Sequence, residues 1–162
     1  MKELKLDKKL YLNKNGYPSE NRIKKGPVAI IECIEDIPCN PCETICQFGA
    51  IKVAIPITNL PELDEQKCVG CGKCISICPG LAIFVLNYNF SSKEASLSIP
   101  YEFLPLPEKN EIIVCLDRNG EKVCEGKIER IILPEKNQMT SVITFSFPKK
   151  YYNSIRSFRR KK

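Results

Sequence analysis

The stretch Cys68-Val69-Gly70-Cys71-Gly72-Lys73-Cys74-Ile75-Ser76-Ile77-Cys78-Pro79 places four cysteines at spacings of two, two and three residues, followed directly by proline. Thiols this close together in one loop can converge on a common centre, and the two glycines let the backbone wrap tightly around a bulky group. The chain has ten cysteines and no histidine, so a metal bound here takes sulfur ligands. The spacing is typical of iron-sulfur cluster loops.

The same pattern occurs once more, 32 residues earlier in the chain. At this offset Cys39, Cys42, Cys46, Ala50, Ile51 and Val53 coincide with Cys71, Cys74, Cys78, Ala82, Ile83 and Val85. The earlier run is altered, because five residues separate Cys33 from Cys39 and Gln47 takes the place of Pro79. The repeat predicts a duplicated unit, each copy made of a strand, a cysteine loop, a short helix and a second strand.

Residues 28–88 resemble bacterial two-cluster ferredoxins, in which the fourth cysteine of each run binds the other cluster. The resemblance implies two [4Fe-4S] clusters with crossed ligands. Cluster one takes Cys68, Cys71, Cys74 and Cys46, and cluster two takes Cys33, Cys39, Cys42 and Cys78.

The longer loop after Cys33 leaves two possibilities for the fourth ligand of cluster two. Such a loop can still return a thiolate to the cluster, and we expect Cys33 to be a ligand. If Cys33 only packs in the core, three thiolates remain and a [3Fe-4S] cluster is expected instead. The EPR signal of an oxidised [3Fe-4S] cluster would identify the second case.

Zinc is the alternative metal for this set of cysteines, because paired Cys-x₂-Cys segments also build structural Cys₄ sites. Zinc ribbons pair two such knuckles. Here eight cysteines form two runs of four, and the later run ends in Cys78-Pro79. This arrangement favours iron-sulfur clusters.

The whole sequence predicts an α+β fold in which a ferredoxin-like cluster domain precedes a small all-β module and a short C-terminal helix. The predicted parts are a basic arm at 1–27, the two-cluster domain at 28–90, the β module at 91–148 and a basic tail at 149–162. Apolar residues alternate with polar ones from Met139 to Phe147, as in a half-buried strand. In the tail, Tyr151, Ile155 and Phe158 recur at helical spacing, which predicts an amphipathic helix.

The two cysteines outside the runs are predicted to face each other in a hairpin. Asn119-Gly120 favours a two-residue type I′ turn, which would set Leu116 opposite Val123 and Cys115 opposite Cys124. Their Cα atoms would then be ~4.5 Å apart, close enough for a disulfide. We expect two reduced thiols instead, because the chain shows no sign of export and the cytoplasm is reducing.

The charge distribution and the hydropathy of the chain indicate its binding partners and its compartment. Residues 1–27 carry a net charge of +5, residues 148–162 have seven bases and no acid, and the segment between carries −6. The basic ends favour docking to an acidic partner, whereas composition alone is weak evidence for nucleic acid, which we do not expect as a partner. The N-terminus shows no signal peptide and the apolar runs are shorter than the ~20 residues that span a bilayer, so we expect a cytoplasmic protein without a membrane span.

The cysteine runs predict one-electron transfer rather than catalysis, because the chain has no histidine to serve as a general base. Residues 26–33 and 37–44 also resemble iron-sulfur subunits that accompany FAD-dependent amine or amino-acid oxidoreductases. That resemblance implies larger flavin-containing partner subunits. The residues outside the cluster domain also favour a chain that is a fixed subunit of a complex. A free ferredoxin shuttle and a nucleic-acid-associated iron-sulfur protein are the two other hypotheses.

Overall fold

The computed structural model describes residues 14–134 and 140–161. Its strands are β1 Val28–Ile31, β2 Ile51–Lys52, β3 Glu62–Leu63, β4 Ile83–Asn87, β5 Glu94–Tyr101, β6 Ile112–Leu116, β7 Lys122–Ile132, β8 Ser141–Pro148 and β9 Ser157–Arg160. Its α-helices are α1 Glu20–Ile23, α2 Pro41–Ile45 and α3 Lys73–Ile77. Seven strands form one antiparallel sheet in the order β1-β4-β5-β8-β7-β6-β9, and β2 pairs with β3 in a separate ribbon.

The two copies of the repeat are intertwined. The first consists of β1, a cysteine loop, α2 and β2, and the second consists of β3, a cysteine loop, α3 and β4. Each copy pairs its strands with the other copy, because β1 lies beside β4 and β2 lies beside β3. The apolar strand β1 is buried along its whole length, and α2 packs against α3. This exchange of strands brings the two cysteine loops together.

The predicted boundary at residue 90 lies inside a continuous sheet. It falls in the turn between β4 and β5, which pair with Leu86 facing Leu97. β5 continues the sheet by pairing with β8 along all eight of its residues. The aromatic side chains of Phe145 and Phe147 on β8 are almost completely buried. The β module therefore extends the sheet of the cluster domain.

The hairpin between β6 and β7 places Cys115 opposite Cys124, as the sequence predicted. Both are free thiols, and Cys115 is the more deeply buried of the two. The hydrogen bond with Cys124, together with burial, raises the pKa of Cys115. These two cysteines lie on the β6–β7 hairpin, whereas the other eight cysteines line two cavities elsewhere in the fold.

The turn of this hairpin differs from the predicted type I′ turn. Within the turn only Gly120 has a left-handed backbone, with φ of 79°. The Asp117 amide bonds to the Glu121 carbonyl at 3.0 Å, which closes a loop of three residues. The Asp117 carboxylate also accepts from the Glu121 amide at 3.0 Å. This loop has one residue more than the predicted turn. The register of the hairpin therefore shifts after Cys115, and Leu116 faces Lys122 instead of the predicted Val123.

The predicted C-terminal helix is wrong, because the tail forms a short 3₁₀ turn and then β9. β9 pairs with the open edge of β6, whereas an isolated helix as short as this tail is only marginally stable in water. Phe158 stacks on Tyr101 with ring centroids 5.1 Å apart, and Ile155 is completely buried. Burial of these two residues explains the apolar spacing that suggested a helix.

Several bases of the tail form ion pairs within the chain. The pairs are Arg156 with Glu32, Arg160 with Glu111 and Lys161 with Glu125. These contacts join the tail to distant parts of the chain, so much of its charge is balanced internally. The prediction that the basic ends dock to an acidic partner is therefore weakened for this end.

Part of the predicted basic arm is folded against the cluster domain. Residues 1–13 lie outside the described ranges, as do Met139 of the predicted strand and Lys162 of the tail. From residue 14 onward the arm contains a 3₁₀ turn and α1, whose first turn is capped by the side chain of Ser19. In residues 14–134 and 140–161, no helix has the length and hydropathy needed to cross a membrane.

Candidate metal centre

One cavity is lined by Cys33, Cys39, Cys42 and Cys78, which are the four cysteines predicted for cluster two. It has a volume of about 190 Å³. Three of its cysteines come from the first run and the fourth comes from the end of the second run. The lengthened loop after Cys33 forms part of its wall through Ile34 and Ile37.

A second cavity is lined by Cys46, Cys68, Cys71 and Cys74, which are the cysteines predicted for cluster one. It is the smaller of the two, at about 20 Å³. Apolar residues of the strands, among them Ala29 and Val85, form its floor. The structure therefore groups all eight predicted cysteines in the crossed arrangement.

The ends of the two short helices separate the fourth cysteine of each run from the other three. Cys46 directly follows α2 and Cys78 directly follows α3, and each is the C-cap residue of its helix. Both have an extended backbone, with ψ of 93° and 111° respectively. The chain thus turns away from the helix at the fourth cysteine. That cysteine lines the cavity of the other run.

Backbone amides donate hydrogen bonds to three of the cysteine sulfurs. Ala50 donates to Cys46 at 3.3 Å, and its counterpart in the repeat, Ala82, donates to Cys78 at 3.5 Å. The Ala29 amide of β1 donates to Cys68 at 3.3 Å. Such bonds stabilise the thiolate form that binds iron, and they are one of the factors that set a cluster's reduction potential.

Burial makes several of these thiols hard to ionise without a cation nearby. It raises the pKa of Cys42 to about 12, with a further contribution from Cys78. Burial also raises the pKa values of Cys74 and Cys39, and neighbouring cysteines add to both shifts. A metal group supplies the positive charge that converts such thiols into thiolate ligands, so the cysteines fit a metal-binding role.

The first cavity has room for a group larger than one ion, because its volume is about 190 Å³, and four cysteines are among the residues that line it. In the part of the chain that the structure describes, no three Cys, Asp or Glu side chains are grouped as for a single metal ion.

Arg22 holds the loop that contains the second cysteine run, a role that no pattern in the sequence predicts. Its Nε donates to the Glu65 carbonyl at 2.8 Å, and Nη2 donates to the Cys68 carbonyl at 2.5 Å and to the Pro27 carbonyl at 2.9 Å. Arg22 belongs to α1, in the segment predicted to be a basic arm. It therefore connects the arm, the start of β1 and the second cysteine run.

The glycines of the second run offer a matched test of how tightly this loop is packed. Gly70 and Gly72 both have left-handed φ values, 66° and 80°. A Cβ at Gly70 would lie 2.6 Å from the backbone of Pro27, whereas one at Gly72 would meet nothing closer than Ile75 at 3.7 Å. We expect Gly70→Ala to cost about 1–2 kcal/mol of backbone strain plus about 1–3 kcal/mol of overlap, and Gly72→Ala to cost the strain alone.

Denaturant unfolding of the two glycine variants, with iron content measured in parallel, checks this expectation. Equal losses of stability would contradict the close contact of Gly70 with Pro27.

The cysteine spacing and the two cavities that the cysteines line are the features of an iron-sulfur domain of the ferredoxin type. Residues 61–84, which include the whole second cysteine run, match the 4Fe-4S binding domain family.

The chain is also similar to several curated proteins over parts of its length. The chain is 47% identical over 47 residues to one subunit of an ion-translocating oxidoreductase complex of Methanosarcina acetivorans, covering 29% of this chain and 17% of that protein. It is 34% identical over 70 residues to an uncharacterized ferredoxin of Methanocaldococcus jannaschii, covering 42% of each. It is 45% identical over 38 residues to one subunit of the Na⁺-translocating ferredoxin:NAD⁺ oxidoreductase complex of Acetobacterium woodii, covering 24% of this chain and 11% of that protein.

The chain thus spans less than half of the length of each of these relatives. No solved structure matches it.

Proposed function

We propose that the chain relays single electrons through two [4Fe-4S] clusters as a subunit of an oxidoreductase complex. Cluster one is bound by Cys46, Cys68, Cys71 and Cys74, and cluster two is bound by Cys33, Cys39, Cys42 and Cys78. The observation that carries the proposal is the division of these eight cysteines between two cavities, four to each. Each cluster, when bound, accepts and returns one electron.

The positions of the cysteines also suit a relay with separate points of entry and exit. Cys71 is exposed beside cluster one, close in sequence to the exposed Val69. Beside cluster two, the exposed side chains of Ile34 and Ile37 form part of the cavity wall. A redox partner can approach either cavity from solvent, so the chain can receive an electron at one cluster and deliver it from the other.

Membership of a complex is supported by two relatives whose names describe them as subunits of oxidoreductase complexes. The finer proposal is that the partner is a larger flavin-containing subunit. Its support is the resemblance of residues 26–33 and 37–44 to subunits that accompany FAD-dependent amine or amino-acid oxidoreductases. Electrons would pass to or from a two-electron flavin through clusters that carry one electron each.

Anaerobic purification of the chain from its native source tests membership of a complex. We expect it to elute with a flavin-containing subunit, and rapid mixing with that subunit's substrate should change the visible absorbance of the clusters, which bleach when reduced and recover when oxidised. A monodisperse chain without flavin that exchanges electrons with soluble reductases would contradict the proposal. That outcome would favour a free ferredoxin, the alternative suggested by the similarity to the M. jannaschii ferredoxin.

A further inference from the structure

Glu32 lies in the wall of the cluster-two cavity, directly before Cys33. Two arginines from the distant β6–β9 region are paired with its carboxylate. Arg156 donates from Nε to Oε1 at 2.7 Å. Arg118 contacts both carboxylate oxygens, with Nε to Oε2 at 3.0 Å. Because two guanidinium groups meet one carboxylate, the group carries a net charge of about +1.

Arg156 is held firmly in this position. It is 5% exposed, and its Nη1 donates to the Ile155 carbonyl at 2.6 Å. Its Nη2 donates to the Tyr17 hydroxyl at 3.2 Å. Ile155 is completely buried and precedes β9, so the packing of the tail positions the guanidinium. A buried charge is screened little by solvent and salt, which makes its field on the neighbouring cavity strong.

Both guanidinium groups donate hydrogen bonds to the carboxylate of Glu32. The three side chains therefore form one charged group, which we call the Glu32 triad, made of Glu32, Arg118 and Arg156.

We infer that the Glu32 triad sets the reduction potential of the group bound by Cys33, Cys39, Cys42 and Cys78. The inference rests on the proposed function, which places a cluster in this cavity. Reduction adds one negative charge to a thiolate-ligated cluster, and a fixed positive charge nearby stabilises the reduced form. The arginines therefore raise the potential of cluster two and Glu32 moderates them. The tail thus places the positive charge of Arg156 next to Glu32, which directly follows β1 and lines the cluster-two cavity.

Variants of the triad have opposite predicted effects, which separates an electrostatic role from a merely structural one. Arg156→Gln removes a positive charge and should lower one of the two midpoint potentials in an EPR-monitored redox titration. Glu32→Gln removes a negative charge and should raise the same midpoint. We expect each shift to be on the order of tenfold in the one-electron equilibrium constant, which is about 59 mV. The other midpoint should stay in place in both variants.

Two further variants serve as controls. Arg159→Gln removes the same charge from an exposed position of β9 and should move neither midpoint. Arg156→Lys keeps the charge but loses the planar set of hydrogen bonds, so it should restore most of the potential while lowering thermal stability.

If Arg156→Gln does not fold, Arg118→Gln decides the question, because the Arg118 side chain is 33% exposed and should tolerate replacement. It should lower the same midpoint as Arg156→Gln. Shifts in the same direction for the arginine and glutamate variants, or no shift in proteins that keep both clusters, would overturn the inference. Failure of the proposed function looks different, because the unaltered protein would then lack a second cluster to titrate.

Discussion

Alanine replacement of the eight cysteines, one at a time, is expected to divide the variants into two groups that cross the two sequence runs. One group is Cys33, Cys39, Cys42 and Cys78, and the other is Cys46, Cys68, Cys71 and Cys74, as the two cavities contain them. Loss of one thiolate from a four-ligand site leaves iron with an open position, so each variant should lose or degrade one cluster. The informative members are Cys46→Ala and Cys78→Ala, because each should damage the cluster of the other run.

The measurement is a redox titration of each variant followed by EPR, together with iron analysis. Variants of one group should lose the same midpoint and part of the iron, up to roughly half where the whole cluster is lost, since two [4Fe-4S] clusters hold about eight iron atoms. Cys115→Ala and Cys124→Ala are the controls, and both should keep all of the iron. Grouping by sequence run, with Cys46→Ala behaving like Cys42→Ala, would contradict the crossed arrangement.

Cys33→Ala within this series also resolves the open question about the fourth ligand of cluster two. If Cys33 is a ligand, the unaltered protein has no [3Fe-4S] signal and the variant gains one. If the unaltered protein already shows that signal when oxidised and Cys33→Ala leaves it unchanged, Cys33 is only a core thiol.

Removal of iron by a chelator under reducing conditions is expected to unfold the cysteine loops and their helices while the larger sheet persists. The parts that surround the cavities are short, since α2 and α3 have five residues each and β2 and β3 have two each. Segments of this length do not hold together without tertiary support, and here the cluster ligands supply it. By contrast, β5 and β7 pair with β8 over most of their lengths, and Phe145 and Phe147 of β8 are buried.

Amide hydrogen exchange of the full chain, before and after chelation, reports the two regions separately. Amides of residues 33–80 should lose their protection after chelation, whereas those of β7 and β8 should retain most of theirs. Circular dichroism should lose part of its amplitude at the same time. Unchanged exchange in residues 33–80 would show that the loops fold without a metal group and would contradict this account.

The two cavities contain the cysteine groups that the resemblance to two-cluster ferredoxins implied, and the role of these cysteines as ligands stays a prediction. The spacing within each loop is a local property, and the offset of 32 residues gives the second loop its counterpart. The pairing of Cys115 with Cys124 was also predictable, since a hairpin relates residues that are close in the chain. The exact turn was not, because the Asp117 carboxylate stabilises a longer loop than Asn119-Gly120 alone suggested.

The tail and the arm were predicted poorly because their structure depends on distant partners. Three apolar residues at helical spacing also fit a loop that leads into a strand, and the open edge of β6 favoured the strand. Arg156 meets Glu32 across 124 residues, and Arg22 meets Cys68 across 46. No local sequence pattern indicates contacts between residues that are so far apart in the chain. In the sequence, both arginines therefore look like exposed charge.

The most direct test of the central claim is iron and sulfide analysis of the anaerobically purified chain, combined with an EPR-monitored redox titration. We predict about eight iron atoms per chain and two one-electron steps with unequal midpoints, because the two cavities differ in loop length, hydrogen bonds and nearby charge. A chain with about four iron atoms and a single step, or one that contains zinc, would contradict the claim that it carries electrons through two clusters.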